Sequence, residues 1–81
     1  MKRGQTRARP TDHEWLGFVG YVAVGIREER LHRGWTQAQL ARRAGVSVGI
    51  VTHIETGENL HLRSLWRISR AFGCRLGSLL P

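Results

Sequence analysis

The chain predicts an all-α fold, a compact bundle of about five helices, and three observations carry that expectation. Apolar residues recur at helical spacing along most of its 81 residues. Hydroxyl residues suited to N-caps precede those stretches, at Thr11, Thr36 and Ser47, and glycines suited to helix ends follow them, at Gly34, Gly45, Gly57 and Gly73. The length leaves room for one domain with one small core and none for a separate catalytic or sensor domain.

The elements follow in order. Residues 1–10 form a polar arm with Lys2, Arg3, Arg7 and Arg9 and no acidic residue, a composition that argues against independent folding. The domain proper is expected over 11–81. Thr11-Asp-His-Glu14 has capping-box spacing, so a helix is predicted from Asp12 to about Arg33. Leu16, Val19, Val22, Ala23 and Ile26 describe its inward stripe, and Gly17, Gly20 and Gly25 each weaken it by ~1 kcal/mol relative to Ala, which leaves room for a break near Gly20. Trp15 to Ile26 carries no charge, yet it is too short for a membrane span of ~20 apolar residues.

The densest signal lies between Thr36 and Gly57. Thr36 caps a short helix whose apolar residues are Ala38, Leu40, Ala41 and Ala44, and Gly45 supplies the left-handed stop. Ser47 caps a second short helix with Ile50, Val51 and Ile54 as its buried stripe. So brief a connection between two helices is the helix-turn-helix signal. A loop from Glu58 to His61 follows. Leu62, Leu65, Ile68, Ser69 and Phe72 then share one face of a further helix, and Leu76, Leu79 and Leu80 form a last short turn that seals the core or a dimer contact.

Charge points the same way. Thirteen Lys and Arg against six Asp and Glu give a net charge of +7, which favours polyanionic partners through counterion release. The single Cys74 cannot form an intramolecular disulfide, fits a reducing cytoplasm and reads as a small hydrophobe rather than a reactive thiol. The four histidines, at 13, 32, 53 and 61, show no metal-ligand spacing. No Ser/His/Asp set, phosphate loop or close carboxylate pair stands out, so neither a catalytic residue nor a cofactor is expected.

Ile26-Arg-Glu-Glu-Arg30, Gly34-Trp-Thr-Gln37, Leu40-Ala41, Ala44-Gly-Val-Ser47, Ile54-Glu55-x-Gly57 and Leu65-x-x-Ile68 together resemble the lambda repressor/Cro-like, or XRE-type, helix-turn-helix family. The resemblance runs from about Val22 to Leu80, with one residue fewer in the loop after Gly57. It implies a bundle that binds operator DNA, commonly palindromic and as a homodimer, in a bacterial or phage-encoded regulator working at the nucleoid in the cytoplasm. Small phage repressors and restriction–modification controllers share this size.

Residue roles follow from the same resemblance. Arg30 and Glu55 match positions that pair between the first and third helices, and Trp35 stands where the family usually carries Leu. Gln37 matches a phosphate-contacting position at a helix N-terminus, where an anion is favoured. Ser47, Arg42 and Arg43 are further phosphate candidates, although a solvated charged face fits the two arginines equally. Val48, Gly49, Thr52 and His53 match the base-facing positions. None is the Arg, Gln or Asn on which direct readout leans, and Val48 offers only an apolar contact to a thymine methyl. The arm has a possible counterpart in arms that enter the minor groove. The rival reading is a protein-interaction module or antitoxin-like partner protein, gripping its target through Trp15, Phe18, Tyr21 or Trp66.

Overall fold

The computed structural model describes residues 11–58 and 61–81. Among these residues four α-helices, α1 (Asp12–His32), α2 (Gln37–Ala44), α3 (Val48–Glu55) and α4 (Leu62–Phe72), are followed by a 3-10 turn, Leu76–Leu79. The fifth expected helix is thus a tighter turn of four residues. Lys2, Arg3, Arg7 and Arg9 lie outside the described residues.

Local chemistry explains where the first three helices begin, whereas α4 starts after His61 without a side-chain cap. Thr11 accepts from the Glu14 amide while the Glu14 carboxylate accepts from the Thr11 amide, at 2.9 and 2.8 Å. Thr36 and Gln39 repeat this reciprocal box at the start of α2. Two orphan amides are satisfied in each case. The Ser47 hydroxyl accepts from the Ile50 amide at 3.1 Å to cap α3. Helix α1 runs through Gly20 without a break.

The connections turn on left-handed glycines. Gly45 has φ 72° and closes α2, its amide and that of Val46 returning to carbonyls of the last turn. The turn is then tied to α4, because Arg67 donates to the Gly45 carbonyl at 2.9 Å. At Gly57, φ is 82° and a Cβ would lie 3.4 Å from Val19 of α1, so the chain leaves α3 against the first helix.

Val22, Ile26, Leu40, Val51, Ile54 and Ile68 are fully buried and meet at the centre, with Leu65, Phe72 and Leu79 closing around them. Trp35, at a position where the family's Leu would fill the core, does not enter it. It packs against the core's edge, half-buried and stacked on Phe72 with ring centroids 6.0 Å apart. Cys74, Leu76 and Leu80 pack on the core as partly buried residues.

Three expected core residues are exposed. Leu16 is 63% accessible because the first turns of α1 carry their apolar residues on several faces, and only Val19 and residues beyond it meet the bundle. Leu62 stands at the first position of α4, 68% accessible. Ala38 points outward, as α2 turns its Leu40, Ala41 and Ala44 face inward. Ile50 is only partly buried.

Candidate nucleic-acid interface

One polar network holds the three helices of the site. The Arg30 guanidinium, on α1, donates through Nε to Glu55 Oε2 at 2.7 Å and through Nη2 to Glu55 Oε1 at 3.0 Å. Its remaining Nη1 donates to the Trp35 carbonyl at 2.8 Å, fixing the loop that leads into α2. The side chains are 10% and 4% accessible, so the pair is withdrawn from water but fully hydrogen-bonded. Hydrogen bonding to Glu55 raises the Arg30 pKa above its ordinary value, against the opposing effect of burial, so the charge persists at every accessible pH.

Gln37 extends this network across the turn. Its Nε2 donates to Glu55 Oε1 at 3.1 Å, and its Oε1 accepts from the Thr52 hydroxyl at 2.9 Å. Gln37 therefore joins the first residue of α2 to the middle of α3. No buried side-chain nitrogen or oxygen among the described residues lacks a partner. The angle between α2 and α3 is thus held by directed bonds as well as by Leu40, Val51 and Ile54.

The residues expected to face bases lie along α3. Val48 is 45% accessible, Gly49 and His53 are exposed, and Thr52 is half-buried by its bond to Gln37. His53 Nδ1 lies 3.0 Å from Glu58 Oε1, a partnership the sequence reading missed: five residues separate them, and the left-handed Gly57 brings the carboxylate back. Ser47, Arg42 and Arg43 are exposed at the turn and along α2. Arg43 lies 4.4 Å over the Trp35 ring, while Arg33 approaches Trp35 and Phe72 at 5.6 and 4.8 Å and donates to the Phe72 carbonyl at 2.8 Å. The aromatic neighbourhood of Trp35 could have been inferred from its substitution for an aliphatic residue, but nothing in the sequence marks the arginines on its faces.

Among the described residues no three His, Cys, Asp or Glu side chains gather as a metal site, and no helix is long and apolar enough to cross a membrane. A short capped helix braced by a second across a glycine turn, with its outer face exposed, defines a helix-turn-helix domain. Residues 26–79 match the helix-turn-helix family HTH_3, and the chain belongs to that family, a class of DNA-binding domains.

Solved structures agree. A hypothetical transcription factor, NHTF from Neisseria, is 27% identical with a TM-score of 0.75, over 91% of this chain and 84% of that one. An HTH_3 family transcriptional regulator from Vibrio cholerae is similar in fold, at 24% identity and a TM-score of 0.73, over 80% of this chain but 37% of its own. A protein described as FeII HppE is 29% identical with a TM-score of 0.67, over 78% of this chain and 34% of that one. This chain therefore spans little more than a third of two of these relatives. No curated protein sequence matches it.

Proposed function

We propose that this protein is a transcriptional regulator that binds operator DNA as a homodimer, in the cytoplasm, with α3 in the major groove. The observation that carries the reading is the Arg30–Glu55–Gln37–Thr52 network, which fixes α3 against α1 and α2 while Val48, Gly49 and His53 remain outward. A rigidly presented helix with a free outer face is what groove insertion requires. Gln37 supports a phosphate role as well, since one Nε2 proton goes to Glu55 and the other is left for a DNA oxygen. Arg42, Ser47 and the net charge of +7 favour the backbone.

Dimerisation is supported by surface rather than by the C-terminal leucines, because Leu79 is buried and Leu76 and Leu80 pack on the core. Tyr21 and Val24, on one face of α1, are the more exposed apolar pair. Two copies on a palindrome would place their recognition helices about one turn, ~34 Å, apart. The arm, through Lys2, Arg3, Arg7 and Arg9, is proposed to add contacts in the flanking minor groove.

Duplex titrations across salt test the reading. With about six phosphate contacts, affinity should fall by at least ~10³ between 50 and 200 mM salt. Absence of binding to any duplex at low salt would favour the second reading, a protein-interaction module or antitoxin-like partner. What favours that alternative is the N-terminal end of α1, where Trp15 and Phe18 stack at 5.7 Å in the open.

A further inference from the structure

We infer that Gln37 and Glu58 set the hydrogen-bond polarity of the reading helix, so that Thr52 and His53 both offer acceptors and select bases presenting an exocyclic amine, adenine or cytosine. The inference rests on the groove placement of α3 proposed above and adds the chemistry it reads.

The argument starts from Glu55. Its carboxylate can only accept, so the Gln37 atom facing it at 3.1 Å must be the amide nitrogen. That orientation turns Gln37 Oε1 toward Thr52, and the hydroxyl at 2.9 Å must then donate its single proton to it. Thr52 keeps only lone pairs for a base.

The second half of the argument is independent of the first. Glu58 is likewise an acceptor, so His53 Nδ1, 3.0 Å from it, carries a proton. In the neutral imidazole this leaves Nε2 without one, an acceptor at the outer edge of an exposed side chain. Glu58 is thus a positioning residue, and His53 the reader.

In the major groove, the donors available to such acceptors are N6 of adenine and N4 of cytosine, whereas guanine and thymine offer O6, N7 and O4 acceptors that would repel them. Val48, 45% accessible at the start of α3, adds an apolar contact suited to a thymine methyl.

The test selects duplexes from random DNA with the full chain at pH 8. At the position that loses its preference in His53→Ala, adenine or cytosine is expected. Replacing that base by its analogue without the amine (purine for adenine, pyrimidin-2-one for cytosine) should cost the wild type about 3- to 10-fold in affinity and His53→Ala nothing. Glu58→Lys, which offers Nδ1 a donor instead of an acceptor, should favour the tautomer with its one proton on Nε2 and shift the preference toward guanine or thymine. Nitrogen-15 spectra of the free protein should show His53 protonated on Nδ1, unlike free histidine, and lose that signature in Glu58→Ala. Guanine or thymine at the His53 position, a preference indifferent to His53→Ala, or an Nε2-protonated ring each overturns the inference while leaving DNA binding intact. Failure to enrich any duplex overturns the groove placement itself, and the inference with it.

Discussion

Arg43 rests its guanidinium 4.4 Å above the Trp35 ring, whereas its exposed neighbour Arg42 makes no side-chain hydrogen bond, ion pair or cation–π contact among the described residues. The two adjacent arginines of α2 are therefore unequal. A cation over an indole contributes ~0.5–1 kcal/mol at an exposed site. Arg43→Ala should lower Tm by a few degrees, since ~1 kcal/mol corresponds to ~4–8 °C in a domain of this size. Arg42→Ala should leave Tm unchanged and weaken duplex binding evenly across sequences, which thermal melts paired with titrations on two unrelated duplexes will resolve.

The Arg30–Glu55 pair is expected to be far more costly to break. Removing one member strands a charge that is nearly inaccessible to water, typically at ~3–5 kcal/mol. Glu55→Ala also releases Gln37, and through it Thr52. Arg30→Ala and Glu55→Ala should each lower Tm by more than ~10 °C. Arg30→Met combined with Glu55→Leu should recover part of that loss, because no lone charge is left behind. Melts showing the single variants as stable as the wild type would contradict the pair's structural role.

Glycines separate into two kinds with opposite expected outcomes. At Gly20 a Cβ meets nothing within 4 Å and the backbone is helical, so Gly20→Ala should stabilise α1 by up to ~1 kcal/mol. At Gly57 φ is 82° and a Cβ would press within 3.4 Å of Val19, so Gly57→Ala should destabilise by ~1–2 kcal/mol or more. Chemical denaturation of both variants should move the midpoint in opposite directions, with an unchanged slope.

What the sequence made legible was chiefly local. Thr11 with Glu14, Ser47, Gly45 and Gly57 act within a few residues of themselves, and their chemistry fixes a helix end whatever lies beyond. The Arg30–Glu55 pair spans 25 residues and was reached through family resemblance, not through spacing. Leu16, Ala38 and Leu62 misled for one reason: an apolar residue in register with a stripe is buried only where another element covers that turn. Arg67 bonding the Gly45 carbonyl and Glu58 meeting His53 leave no pattern in composition, since each depends on the tertiary path of a loop.

The exposed apolar surface of α1 provides the last prediction. Tyr21 and Val24, neighbours at i and i+3 on one face of α1, are each more than half accessible and line a groove of about 790 Å³ with Gly17, Gly20 and Leu79 and with the polar Glu28, Glu29 and His32. At roughly half exposure each, these two side chains offer on the order of 200 Å² per copy, given ~150–250 Å² for an aromatic residue. A symmetric contact would then bury ~400 Å² of apolar surface, below the ~1,200–2,000 Å² of stable complexes, which suits a weak dimer reinforced by adjacent half-sites on DNA. Tyr21→Ser with Val24→Ser should leave the fold and Tm nearly unchanged, because neither side chain is in the core. Sedimentation should show weaker self-association in that variant, and titrations on a palindromic site should lose cooperativity while a single half-site binds as before. Wild-type protein that sediments as a monomer both free and on selected DNA would contradict the homodimer altogether, and an unaltered dimer in the double variant would place its interface elsewhere.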